Sequence, residues 1–181
     1  MNRRASLALA IVALGAAVTA ASVVRTESDS VILATIAAPD TTGPALWAHL
    51  QEEHYASSWA LWPGKGRLYM GQEPHGMRLT TYVNDIAARA LASGAEEMPD
   101  GAIVVKENFT PDSALAAITV MYKRNGYNPD HANWFFSKFR PDGEVDQAPN
   151  GMRLAGRVPG CQNCHGSKKD NDYIFTSELG G

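Results

Sequence analysis

Apolar and polar positions follow two different rhythms along the chain. Between Thr41 and about Trp62 the residues Leu46, Leu50, Tyr55, Trp59 and Trp62 recur at helical spacing behind Thr41 and Thr42, which are candidate N-caps. This predicts an amphipathic helix closed by Pro63-Gly64. Arg67 to Met70 and Met77 to Val83 read as short strands, and Asn84 or Asp85 is placed to cap a short helix, Ile86 to Ala92, that Gly94 ends. The rhythm then shortens. Three turn signals, Pro99-Asp100-Gly101, Pro111-Asp112 and Asn128-Pro129-Asp130, launch the β-branched and aromatic stretches Ala102 to Phe109, Leu115 to Lys123 and Asn133 to Arg140. These predict a β-meander. Pro141-Asp142-Gly143 opens a polar loop running to about Pro159, and a short C-terminal segment follows.

The beginning of the chain has a different character. Arg3 and Arg4 precede an almost uninterrupted apolar stretch, Ala5 to Thr19, and Val18-Thr19-Ala20 offers small residues for a cut after Ala20. A basic segment, an apolar segment and a small-residue site together read as a secretory leader over residues 1–20, with a linker over 21–40 and the working domain over 41–181. The competing reading is an uncleaved anchor, because the apolar run extends to Val24 and reaches the roughly 20 residues that span a bilayer. Either way the expected location of the domain is outside the cytoplasm, in a periplasm. The whole chain is 181 residues with 45% hydrophobic content, enough for one ordinary core. Its formal net charge of −3 leaves no basic surplus for a phosphate backbone, which argues against a nucleic-acid partner.

The two cysteines matter by position. Cys161-Gln162-Asn163-Cys164-His165 matches C-x-x-C-H, the attachment signature of a c-type haem. Two thiols about one helical turn apart can add to the two vinyl groups on one porphyrin edge, and the next histidine is then carried beneath the ring to ligate iron. Such attachment follows export, so leader and motif support each other. A structural zinc site would need four ligands, and adjacent Cys164 and His165 are an awkward pair for one tetrahedral ion. A thioredoxin-like pair belongs at a helix start after an early strand, not at the far end of a domain. A plain disulfide leaves His165 without a role. No methionine follows His165, which is at odds with the small cytochrome c arrangement, and the meander is at odds with a four-helix cytochrome c′.

With these residues in view, the chain resembles the cytochrome P460 family, which includes the β-sheet cytochromes c′ (c′-β). The resemblance rests on Leu79-Thr80-Thr81-Tyr82-Val83-Asn84-Asp85 and on Pro99-Asp100-Gly101-Ala102-Ile103-Val104-Val105-Lys106-Glu107-Asn108. It continues through Tyr127-Asn128-Pro129 with Trp134-Phe135-Phe136, and Gly156-Arg157-Val158-Pro159-Gly160 leads into the haem motif. It spans roughly Trp47 to Phe175. It implies an α+β fold, mainly antiparallel β-sheet with flanking helices, one covalently attached haem c, a proximal histidine and often a homodimer. Family members either oxidise hydroxylamine with a haem crosslinked to a lysine, or bind nitric oxide without that crosslink.

Cys161 and Cys164 are therefore the expected thioether anchors, and His165 the expected iron ligand. Lys106 shares a strand face with Ala102 and Val104, which makes it a candidate for the pocket and for a crosslink; the plainer reading is a strand-end lysine reaching water beside Glu107 or Asp112. Glu107 falls on the opposite face. His75, in a loop of Pro and Gly, is the candidate distal ligand or proton shuttle, and Arg78 and Arg157 are candidates for pairing with propionates. Trp134, Phe135, Phe136, Phe139 and Tyr122 are expected to build the core. Two functions fit: oxidation of a small nitrogen species with electrons passed to a periplasmic electron-transfer protein, or nitric-oxide binding and electron transfer without turnover. Bis-histidine ligation through His75 would close the iron.

Overall fold

The computed structural model describes residues 37–180, which fall in one compact unit. The leader assigned to residues 1–20, and the linker up to residue 36, lie outside the described residues. Helix α1 (Gly43–Glu52) starts where Thr42 accepts a hydrogen bond from the Ala45 N–H at 3.3 Å, and it buries Leu46 and Leu50. It is shorter than the spacing of apolar residues suggests. His54 takes a left-handed backbone (φ 49°), the single turn α2 (Tyr55–Ser58) follows, and the chain then extends into β1 (Ala60–Leu61). The reason is topological. Tyr55 packs with Leu46 and Leu50, whereas Trp62 is buried in a separate cluster with Val83 and Trp134, and one straight helix cannot serve both.

Strands β2 (Tyr69–Met70) and β3 (Arg78–Val83) come next, then α3 (Asp85–Ala92), whose cap is Asn84 accepting from the Ala87 N–H at 3.0 Å. The meander is β4 (Ile103–Phe109), β5 (Leu115–Lys123) and β6 (Trp134–Phe139). The expected polar loop carries one more short strand, β7 (Ala155–Gly156), pairing with Phe136 and Ser137. All neighbours are antiparallel in the order β1-β3-β4-β5-β6-β7, with β2 also on β3. Helix α4 (Pro159–His165) and a 3-10 segment, Gly166–Asn171, follow. The result is the α+β antiparallel architecture expected from the sequence. Among the described residues no helix is long and apolar enough to cross a membrane.

Because side chains alternate across a strand, the two sheet faces have separate tasks. Ile103, Val105, Val120 and Phe139 face α1, while Val104, Met121, Trp134 and Phe136 face α3 and the C-terminal segment. Lys106 belongs to the second face, in cross-strand register with Thr81 and Thr119. A stability test of this division is Phe139→Ala. Phe139 is fully buried, with its ring 5.1 Å from Trp47. Truncation should cost about 3–5 kcal/mol in urea unfolding while leaving the visible spectrum of the matured protein unchanged.

Candidate functional site

Helix α4 starts without a side-chain cap, and Pro159 sits in its first turn, where a missing N–H costs nothing. Cys161, Cys164 and His165 then stand three and four positions apart, on one side of the helix. His165 is buried, Cys161 is half-buried and Cys164 is exposed; the two thiols are free. The Nδ1–H of His165 donates to the backbone carbonyl of Tyr173 at 2.7 Å. A carbonyl can only accept, so the other ring nitrogen, Nε2, keeps its lone pair. Phe136 and Phe175 bracket the imidazole with ring centroids 5.4 Å away.

Opposite this helix lies the second sheet face. Three cavities of about 290, 50 and 430 Å³ all include His75 and His165 in their walls. Lys106 lines the first two, Cys161 the last two, and Cys164 the first and third. The sheet side of the middle cavity is Val104, Thr119, Met121 and Phe136. The sulfurs and imidazole of α4 therefore share cavity walls with Lys106 and His75. Among the described residues no group of three or more His, Cys, Asp or Glu is arranged to hold a bare metal ion.

Lys106 lies inside β4 and at the walls of two of these cavities, not at a strand end. It is half-buried, makes no ion pair among the described residues, and Glu107 faces away to accept from the hydroxyls of Tyr55 (3.1 Å) and Tyr82 (3.2 Å). Burial, with the cationic Lys65 nearby, pulls the Lys106 amine down to about 8. His75 is oriented by a residue that sequence reasoning passed over. The amide nitrogen of Asn108 donates to the carbonyls of Lys106 (2.8 Å) and Ala117 (3.1 Å), which turns its oxygen to the Nδ1 of His75 at 3.2 Å. His75 therefore donates through Nδ1–H and presents Nε2 as an acceptor. Burial, then the positive charges of Lys106 and His165, lower it to about 4, against the pull of the Asn108 bond. The His75 and His165 rings are 6.0 Å apart and nearly perpendicular. Gly76 lets this loop lie against β4: its φ is +95°, and a Cβ there would sit 3.0 Å from the Phe109 carbonyl oxygen.

Neither Arg78 nor Arg157 lines any of these three cavities; Arg157 stacks on Tyr127 and donates to its carbonyl. The cations at the cavity walls are Lys65, Lys106 and Lys138, the last paired with Asp146 at 2.9 Å. Period two could have found Asn108, since it shares the face of Val104 and Lys106. Nothing in the residue pattern marks Tyr173, whose contribution is a backbone carbonyl.

No curated protein matches the chain significantly. Residues 65–176, which run from the cavity lysine Lys65 through β2 to β7, helix α4 and the C-terminal wall, match the family model described as Cytochrome P460. With well over half of its length so matched, including both sides of the cavity around His165, the chain belongs to the cytochrome P460 family.

Proposed function

We propose that this haem cytochrome carries its cofactor covalently, with Cys161 and Cys164 as the residues that would form thioether bonds to it and His165 as the residue that would hold its iron. We read its opposite side as open to a small nitrogen species, hydroxylamine or nitric oxide, which it binds and oxidises after export to the periplasm. One observation carries the reading. His165, with Nδ1–H committed to the Tyr173 carbonyl and Nε2 free, shares its cavities with the two polar groups Lys106 and His75. When bound, the haem supplies an iron that takes up the substrate nitrogen and passes its electrons on. The chain supplies the rest. The Tyr173 carbonyl fixes the imidazole plane, Asn108 fixes His75, and the neutral Nε2 of His75 can accept a proton from a bound N–H or O–H. Electrons would leave to a periplasmic electron-transfer protein.

The test is hydroxylamine-dependent reduction of an artificial electron acceptor by the matured protein. Turnover supports oxidation. The second reading is reversible nitric-oxide binding in an electron-transfer cytochrome of the c′-β type, favoured by the apolar wall of Val104, Met121 and Phe136. Its signature is a nitric-oxide adduct spectrum with no hydroxylamine turnover. A ferric low-spin spectrum indifferent to either ligand would remove both readings and point to ligation by His75.

A pH profile tests the role given to His75. A base acts only when unprotonated, and burial places its protonation near 4 rather than near its ordinary value of 6.5. Turnover dependent on His75 should therefore persist as pH falls from 7 to 5 and decline only as pH approaches 4. His75→Gln should lower kcat by about 10²-fold, in the range of a lost general base, and remove that acid limb. A decline already centred near pH 6.5 in the parent protein would contradict the assignment.

A further inference from the structure

We infer that the buried Lys123–Asp172 ion pair is a positioning device for the His165 imidazole, acting through the peptide that connects Asp172 to Tyr173. The inference rests on the reading of His165 as iron ligand. Asp172 and Tyr173 are consecutive non-glycine residues in the left-handed region, with φ of 48° and 67°. Side-chain-bearing residues keep this backbone only where their surroundings enforce it. That turn is what directs the Tyr173 carbonyl back to the Nδ1–H of His165.

The enforcement comes from Asp172. Its side chain is 2% exposed, and its carboxylate accepts from the Met98 N–H at 2.8 Å, from Lys123 Nζ and from Trp134 Nε1 at 3.3 Å. The same indole N–H reaches the Asp172 carbonyl at 2.9 Å, and Lys123 Nζ lies 4.9 Å from the Trp134 ring centroid. Three separate segments, the loop at Met98, the end of β5 and the start of β6, thus clamp one residue. A buried ion pair is a poor source of net stability, because desolvating two charges roughly cancels their attraction. What it provides here is a single geometry. A carbonyl held against a ligating imidazole makes the ring a better electron donor and favours ferric iron over ferrous.

The experiment uses matured, haem-loaded protein and reads the reduction potential and the iron–histidine stretching band of the ferrous form. Asp172→Asn leaves Lys123 uncompensated, so the double variant Lys123→Met/Asp172→Asn is made beside it, and Phe139→Ala serves as a destabilised control on the opposite sheet face. The clamp variants should shift the ferrous-to-ferric ratio at fixed potential about tenfold toward ferrous, equivalent to about 59 mV for one electron, and weaken the band. Lys123→Arg, which keeps the pair, should restore parent values, and Phe139→Ala should not move them. Parent values in the double variant, or an equal shift in Phe139→Ala, would overturn the inference. An iron–histidine band absent from a five-coordinate ferrous parent protein would instead remove the ligand assignment on which it rests.

Discussion

A Cys161→Ala/Cys164→Ala protein should emerge from a host competent for cytochrome maturation with no haem that survives denaturation. The expectation follows from how α4 presents the two sulfurs. They are three residues apart, so they lie on one side of the helix, with Cys164 exposed and Cys161 at the cavity wall. Each single variant leaves one sulfur able to bond and should keep a haem held at one point, whereas the double variant leaves His165 alone to hold it. A denaturing gel stained for haem and an intact-mass measurement read the result, and the effect is all-or-none for covalent haem. Covalent haem persisting in the double variant would show that the C-x-x-C-H segment is not the anchor.

The parts of this architecture that were legible in the residues are those set by local rules. Period two in Ile103 to Asn108 separates Lys106 from Glu107, and the structure puts one at the cavity and the other under Tyr55 and Tyr82. Asn84 has the chemistry of an N-cap and acts as one. What escaped was set by tertiary demands. The helix break at His54 occurs because Trp62 must reach the opposite side of the sheet from Leu50, a requirement invisible before the strands pair. Strand β7 is two residues long, too short for any alternation to register. Arg78 is held in strand pairing and Arg157 on Tyr127, and the side chains of Lys65 and Lys106 stand at the first cavity instead, a distribution of cations that only the assembled sheet decides. Backbone groups such as the Tyr173 carbonyl carry no signature at all, and the orientation of the His165 ring depends on one.

Lys106→Met should separate the two functional readings by the largest change in turnover. The lysine is held in the middle row of the sheet face between Thr81 and Thr119, and burial keeps a substantial share of its amine neutral near pH 8. A neutral amine is a nucleophile; an ammonium is not. If Lys106 ties to the macrocycle, a C–N bond replaces one N–H and one C–H, and two protons and two electrons leave to a two-electron oxidant such as peroxide, which is reduced to water. Formation of the tie should slow as pH falls below 8, because protonation removes the lone pair. In the parent protein, proteolysis should then yield haem joined to both the Cys161–Cys164 peptide and the β4 peptide, with a red-shifted ferrous Soret band. Lys106→Met should keep the thioether-bound haem and nitric-oxide binding, restore an ordinary haem c spectrum, and lose hydroxylamine turnover by a factor on the order of 10³, about 4 kcal/mol of transition-state stabilisation. Haem found on the cysteine peptide alone in the parent, with turnover unchanged in Lys106→Met, would refute the crosslink and leave Lys106 as a charged wall of a nitric-oxide pocket.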